Sequence, residues 1–214
     1  MLTIIFLSGF LLSLFLMVVA KRITALVKTF ALQSLFLSLY ALYVAVLQRH
    51  AELLIISGLI FILKVIIIPR VILRIKRRIN VEEDLGLTLN TQVSLIVALF
   101  LMYFSYLFIS RIISFSSGEA MQAVAFTVSF TAVFIGLFLM IFRQKALSQV
   151  VGLLVMENGT FLAALAITGG MPFLVEIAIF FDVFIFVLII EILVYRINRL
   201  FTHIDTTKLT TLKG

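Results

Sequence analysis

The stretch 146–168, ALSQVVGLLVMENGTFLAALAIT, decides the fold. It is apolar over most of its length and carries a glutamate, Glu157, at its centre. A hydrocarbon core about 30 Å thick needs roughly 20 residues of α-helix at about 1.5 Å each, and this stretch is long enough. Working outward, comparable runs recur at 120–142, 92–110, 51–69, 24–47 and 2–20 before it, and at 173–195 after it. The chain therefore reads as an all-α integral membrane protein of about seven transmembrane helices. Composition points the same way: 64% of the 214 residues are hydrophobic and 13% charged, where soluble domains run at roughly 45–50% and 25%. A soluble enzyme, a nucleic-acid binder and a disordered chain are all excluded on that ground.

The basic residues set an orientation. With the N-terminus outside, the inner segments hold Lys21 and Arg22; Arg70, Arg74, Lys76, Arg77 and Arg78; Arg143 and Lys145; and Arg196, Arg199, Lys208 and Lys213. Outer loops keep only Arg49 and Arg111, while Lys28 and Lys64 fall inside spans. Thirteen against two follows the positive-inside rule, so the C-terminus is expected in the cytoplasm. The first run lacks a basic start and a small-residue cleavage site, and reads as a span rather than a signal peptide.

The chain then divides into a three-helix membrane segment (1–69), a link (70–91), a four-helix membrane segment (92–195) and a cytoplasmic tail (196–214). The link is basic and then acidic, with Glu82, Glu83 and Asp84. Its basic run is read first as a topological anchor and second as a docking surface for an acidic soluble partner. Gly169, Gly170 and Pro172 make a tight connection between spans six and seven, since glycines end helices and a proline suits the next first turn.

Function is sought among the charges inside the spans, because an ionisable side chain near the bilayer centre costs about 2.5–3.5 kcal/mol on insertion scales. Glu52 and Lys28 lie near span ends, where they can reach water. Glu191 lies one turn from the inner end of span seven, in reach of Arg196. Glu157 and Asp182 are different: each falls about 14–16 Å into its span, on neighbouring helices and at one depth. Desolvation favours the uncharged form of a carboxyl, and chains of such acids inside spans mark proton relays. The competing reading is a permanently protonated acid that hydrogen-bonds across a helix interface. Lys64, nearer the inner end of span three, either snorkels or pairs with a carboxylate. Glu176 is either an outer proton mouth or a wetted helix start. Gln33, Gln149 and Asn158 add uncharged polar groups that can join helices or hold bridging waters.

Bond-making chemistry finds no support. The chain has no cysteine, and His50 and His203 stand far apart. No glycine-rich phosphate loop, nucleophile–base set or metal-ligand spacing is present, and the 22 phenylalanines read as lipid-facing bulk. No cofactor is expected in this chain.

Residues 152–159, GLLVMENG, resemble the membrane component E family of hydrogenase 4. Lys64 with Pro69, the run Gln33-Ser34-Leu35, Leu174-Val175-Glu176-Ile177 followed by Asp182, and the ending Leu209-Thr210-Thr211-Leu212-Lys213-Gly214 are similar to that family too. The resemblance covers essentially the whole chain. It implies a small subunit of an energy-converting membrane-bound [NiFe] hydrogenase or formate hydrogenlyase complex in a bacterial or archaeal cytoplasmic membrane. Its partners would be antiporter-like and quinone-site-like membrane subunits and soluble hydrogenase subunits, with nickel–iron and iron–sulfur centres housed there.

The last three spans, 120–195, also look like the K subunit of respiratory complex I and the C subunit of multisubunit cation/proton antiporters. Where the complex I relatives carry a glutamate in the middle helix, this chain has Leu154, and its acid comes three residues later at Glu157. Asp182 looks like the position of the second helix's acid in that family. Taken with the charges read inside the spans, the expectation is a proton or sodium relay through Lys64, Glu157, Asp182 and Glu176, with Asn158, Gln33 and Gln149 in support. Two rival expectations stand beside it: an antiporter subunit, and a structural subunit outside the ion path.

Overall fold

The structure, a computed structural model, describes residues 2–49, 51–79, 89–112 and 120–168. Its helices are α1 (Leu2–Val19), α2 (Ile23–Gln48), α3 (Ala51–Ile60), a π-helical segment (Phe61–Ile67), α4 (Ile68–Ile79), α5 (Thr91–Ile112), α6 (Ala120–Phe142) and α7 (Ala146–Thr168). Since α3, the π segment and α4 form one continuous rod, six helices among the described residues are long and apolar enough to cross a membrane. The seventh expected span, 173–195, lies outside the described residues, as does the acidic part of the 70–91 link.

Short connections make neighbours antiparallel. Ala20, Lys21 and Arg22 join α1 to α2, and α2 ends where Arg49 takes a left-handed conformation (φ 56°) with its N–H on the Ala45 carbonyl. The most intimate pair is α6 with α7, and glycine is the reason. A Cβ added at Gly136 would stand 2.7 Å from the Gly152 carbonyl oxygen, and one at Gly159 would stand 2.8 Å from the Ser129 carbonyl oxygen. Lipid offers little hydrophobic drive for helices to associate, so close backbone approach at small residues supplies much of the attraction. Helix α5 joins α6 through rings, with Phe104 on Phe134 and Phe108 on Phe130, both at 5.6 Å between centroids.

Span three departs from the sequence expectation, which ended it at Pro69. The helix runs on to Ile79, and residues 70–79 of the expected link are helical. Proline within a helix removes an N–H and presses its ring on the carbonyl four residues back. Here the preceding turns widen instead of breaking, and Ile68 N–H donates to the Leu63 carbonyl five residues back. Such π turns are rare in helices and gather at functional positions. This one contains Lys64.

The basic end of the bundle is built rather than merely charged. Lys76 Nζ donates to Thr24 Oγ1 at 2.8 Å, tying α4 to the start of α2. Arg143, between α6 and α7, is 3% exposed. It donates to the carbonyls of Ala20 (2.9 Å), Met17 (3.1 Å) and Val18 (3.0 Å) at the C-terminus of α1. The last carbonyls of a helix lack intrahelical donors and carry the negative end of its dipole, so a guanidinium fork satisfies both needs. Burial pushes the Arg143 group down to about 10, which leaves it charged at neutral pH. Arg143→Ala strips a donor from the buried α1 terminus and is expected to lower stability by about 2 kcal/mol or more. Arg143→Lys retains the charge without the fork and is expected to fall between. Unfolding midpoints of the purified proteins in one detergent check the order.

Candidate functional site

Polar residues from α2, the π segment and α7 converge in the interior. Glu157 and Asn158 sit at the middle of α7, and Gln33 and Ser34 on the buried face of α2. Lys64 enters from the π segment, its side chain 2% exposed and that of Glu157 7%. The ammonium lies 3.2 Å from Glu157 Oε1 and donates to Asn158 Oδ1 at 3.0 Å. Asn158 then turns its amide nitrogen to α2, donating to Gln33 Oε1 at 3.2 Å and Ser34 Oγ at 3.0 Å. One asparagine thereby joins three spans, and Ser38 adds a fourth tie by donating to the Ser57 carbonyl at 3.0 Å.

The electrostatics follow from burial. A charge in a low-dielectric interior is tolerated only when paired, and among the described residues Glu157 is the carboxylate beside Lys64. The ammonium's approach to Oε1 is close but poorly aligned. Neither carboxylate oxygen accepts a hydrogen bond among the described residues, and the Gln33 amide nitrogen likewise finds no acceptor there. A carboxyl with open lone pairs beside an ammonium is a place where a water or a further acid can sit and where a proton can move.

The site residues expected from sequence are distributed as follows. Lys64, Glu157, Asn158 and Gln33 come together in one cluster. Gln149 does not join them: it stands exposed in the first turns of α7, donating to the Arg143 carbonyl at 3.1 Å, and serves the α6–α7 connection. Asp182 and Glu176 lie outside the described residues. Ser34, quoted only as part of a resemblance, proves to be a direct partner of Asn158. Arg143 was counted only as a topological charge, and the signal that could have singled it out is its place in a three-residue connection, where a basic group meets helix ends. Lys28 and Glu52 are exposed, each near the start of its helix. Among the described residues no group of His, Asp and Glu is placed to hold a metal ion.

Comparison with known proteins supplies distant relatives. A Mycobacterium tuberculosis protein described only as uncharacterized is 26% identical over 207 residues, 96% of this chain and 93% of that one. Hydrogenase-4 component E of Escherichia coli strain K12 is 28% identical over 189 residues, 87% of this chain and 83% of that one. The component of the same name from Shigella flexneri matches to the same extent. No protein-family profile matches the chain, and no solved structure does.

Proposed function

We propose that the chain is a non-catalytic membrane subunit of an energy-converting hydrogenase complex of the formate hydrogenlyase type, and that its buried charges form part of a proton relay. The observation that carries this reading is the Lys64–Glu157–Asn158 cluster, bound to Gln33 and Ser34 in the middle of an apolar bundle. Ionisable groups at that depth are costly and are kept where ions pass. The distant likeness to hydrogenase-4 component E supports the choice of complex. In this reading a seventh span brings Asp182 to the level of Glu157 and Glu176 toward the outer surface. The N-terminus faces outward and the basic end faces the cytoplasm of a bacterial or archaeal cell. Nickel–iron and iron–sulfur chemistry belongs to partner subunits.

The geometry favours the proton over sodium. A metal cation held at Glu157 would have to gather oxygens where the Lys64 ammonium already contacts Glu157 Oε1 and Asn158 Oδ1, and like charges at that separation repel strongly in a low dielectric. A proton needs no such vacancy, since it passes between carboxyl, amine and water.

The test is isolation of the complex through a tag on this chain, with its companions identified by mass spectrometry and its ion movement followed in vesicles. Hydrogenase subunits should co-isolate, and hydrogen turnover should acidify or alkalinise the vesicle lumen in sodium-free buffer. Companions limited to antiporter subunits, or turnover with no proton movement, would overturn the reading.

A further inference from the structure

The amphipathic helix α4 presents a basic face away from the bundle. Its buried face is Ile68, Ile72 and Ile75, and its exposed face is Arg70, Arg74 and Arg77. Spacings of four and three residues align the three guanidiniums in one stripe, one turn between neighbours. None of the three makes an ion pair or hydrogen bond among the described residues, whereas Lys76 on the flank is already committed to Thr24.

Depth says what the stripe meets. Ala51 follows the Arg49 turn and so marks one membrane boundary. At about 1.5 Å per residue, and less across the π segment, Arg70 stands at most about 28 Å beyond Ala51 and Arg74 at most about 34 Å. The two arginines therefore bracket the far edge of a hydrocarbon layer about 30 Å thick, the level at which lipid phosphates begin. Above them on the same rod, Phe61 and Ile62 are exposed apolar side chains suited to acyl chains. Below them Lys21 and Arg22 are also exposed, adding positive charge at this end.

We infer that Arg70 and Arg74 form a binding site for the phosphate of an anionic phospholipid in the leaflet at the basic end. Guanidinium is the fitting group, because its planar fork donates two parallel hydrogen bonds to phosphate oxygens. A net negative headgroup is favoured over a zwitterionic one, whose own ammonium or choline would be brought near the guanidiniums and repelled by them. Lipid held here would brace α4, and with it the proline-linked π segment that presents Lys64.

Native mass spectrometry of the purified full chain, released from micelles doped with equal phosphatidylglycerol and phosphatidylcholine, tests the site. At about 1 kcal/mol per basic residue near an anionic surface, two arginines give a preference for phosphatidylglycerol of about thirtyfold. Arg70→Gln with Arg74→Gln should reduce that to near parity, with helix content unchanged by circular dichroism. The pair Arg70→Lys and Arg74→Lys should fall between, and carries the test if the glutamine pair does not fold. Inorganic phosphate at millimolar concentration should displace little lipid. Lack of preference in the wild type would overturn the site and leave the stripe to an acidic protein. An equal loss from Lys21→Gln with Arg22→Gln would also overturn it, by reducing the effect to general charge.

Discussion

Substituting methionine for Lys64 is expected to cost about 3–5 kcal/mol of stability, because it leaves Glu157 buried without its opposite charge. Glu157→Gln should cost less than that, since the ammonium retains Asn158 Oδ1 as acceptor. Combining the two removes both charges from the interior, and the double variant is expected to recover most of what Lys64→Met loses. The cycle of unfolding midpoints for wild type, both singles and the double measures the coupling directly. Simple additivity would mean that the 3.2 Å contact carries no energetic weight. The same proteins separate relay from scaffold. A purely structural pair predicts that the recovered double variant moves protons normally within the complex, whereas a relay predicts a stable complex with hydrogen turnover and little or no proton movement.

Much of this architecture was legible because the bilayer makes length and polarity strict. A helix that crosses it must be apolar for about 20 residues, so 120–142 and 146–168 coincide with α6 and α7, and the earlier spans differ by a few residues at most at their ends except at Pro69. Pro69 misled because a proline ordinarily ends a helix pattern. That it would be absorbed by a π segment depends on how α3 and α4 pack on α2, and such packing leaves no periodic trace in sequence. Lys64 and Glu157 stood out as costly for the same reason as the spans: a charge inside an apolar run is conspicuous, and both are buried.

The pairing between those residues was less legible. Lys64 and Glu157 lie 93 positions apart, and counting from span ends set them at different depths. A lysine side chain several ångströms long and a widened turn close that gap. Asn158 drew attention only as helix glue, yet it is the hub, because its amide is donor and acceptor at once and can serve α2 and Lys64 together. Arg143 was hidden by its own charge: a basic residue beside a span already had an explanation in topology, and nothing in sequence says that the α1 terminus lies within its reach.

Gly136→Leu is expected to have the largest effect among substitutions outside the polar cluster. At Gly136 even a single Cβ would approach Met156 N to 2.7 Å and its Cα to 2.9 Å. These are backbone atoms of α7, which cannot rotate aside as a side-chain tip can. Overpacking a core ordinarily costs about 1–3 kcal/mol, and here four heavy atoms would have to enter a space that does not admit one. The helices must separate, and α7 takes Glu157 and Asn158 with it, away from Lys64, Gln33 and Ser34. Gly136→Ala should produce the same change in smaller degree. Gly58 provides the contrast, since a Cβ there meets nothing within 4 Å; Gly58→Ala should stabilise by about 0.5–1 kcal/mol through the backbone entropy that glycine otherwise adds. Unfolding midpoints in one detergent rank the three variants. An unchanged midpoint for Gly136→Ala would mean that the α6–α7 contact is looser than its backbone distances require. If Gly136→Leu unfolds, its midpoint cannot separate lost packing from lost polar contacts, but Gly136→Ala in a folded complex can. A fall in proton movement there, with hydrogen turnover intact, ties the glycine seam to the alignment of Glu157 and Asn158 with their partners.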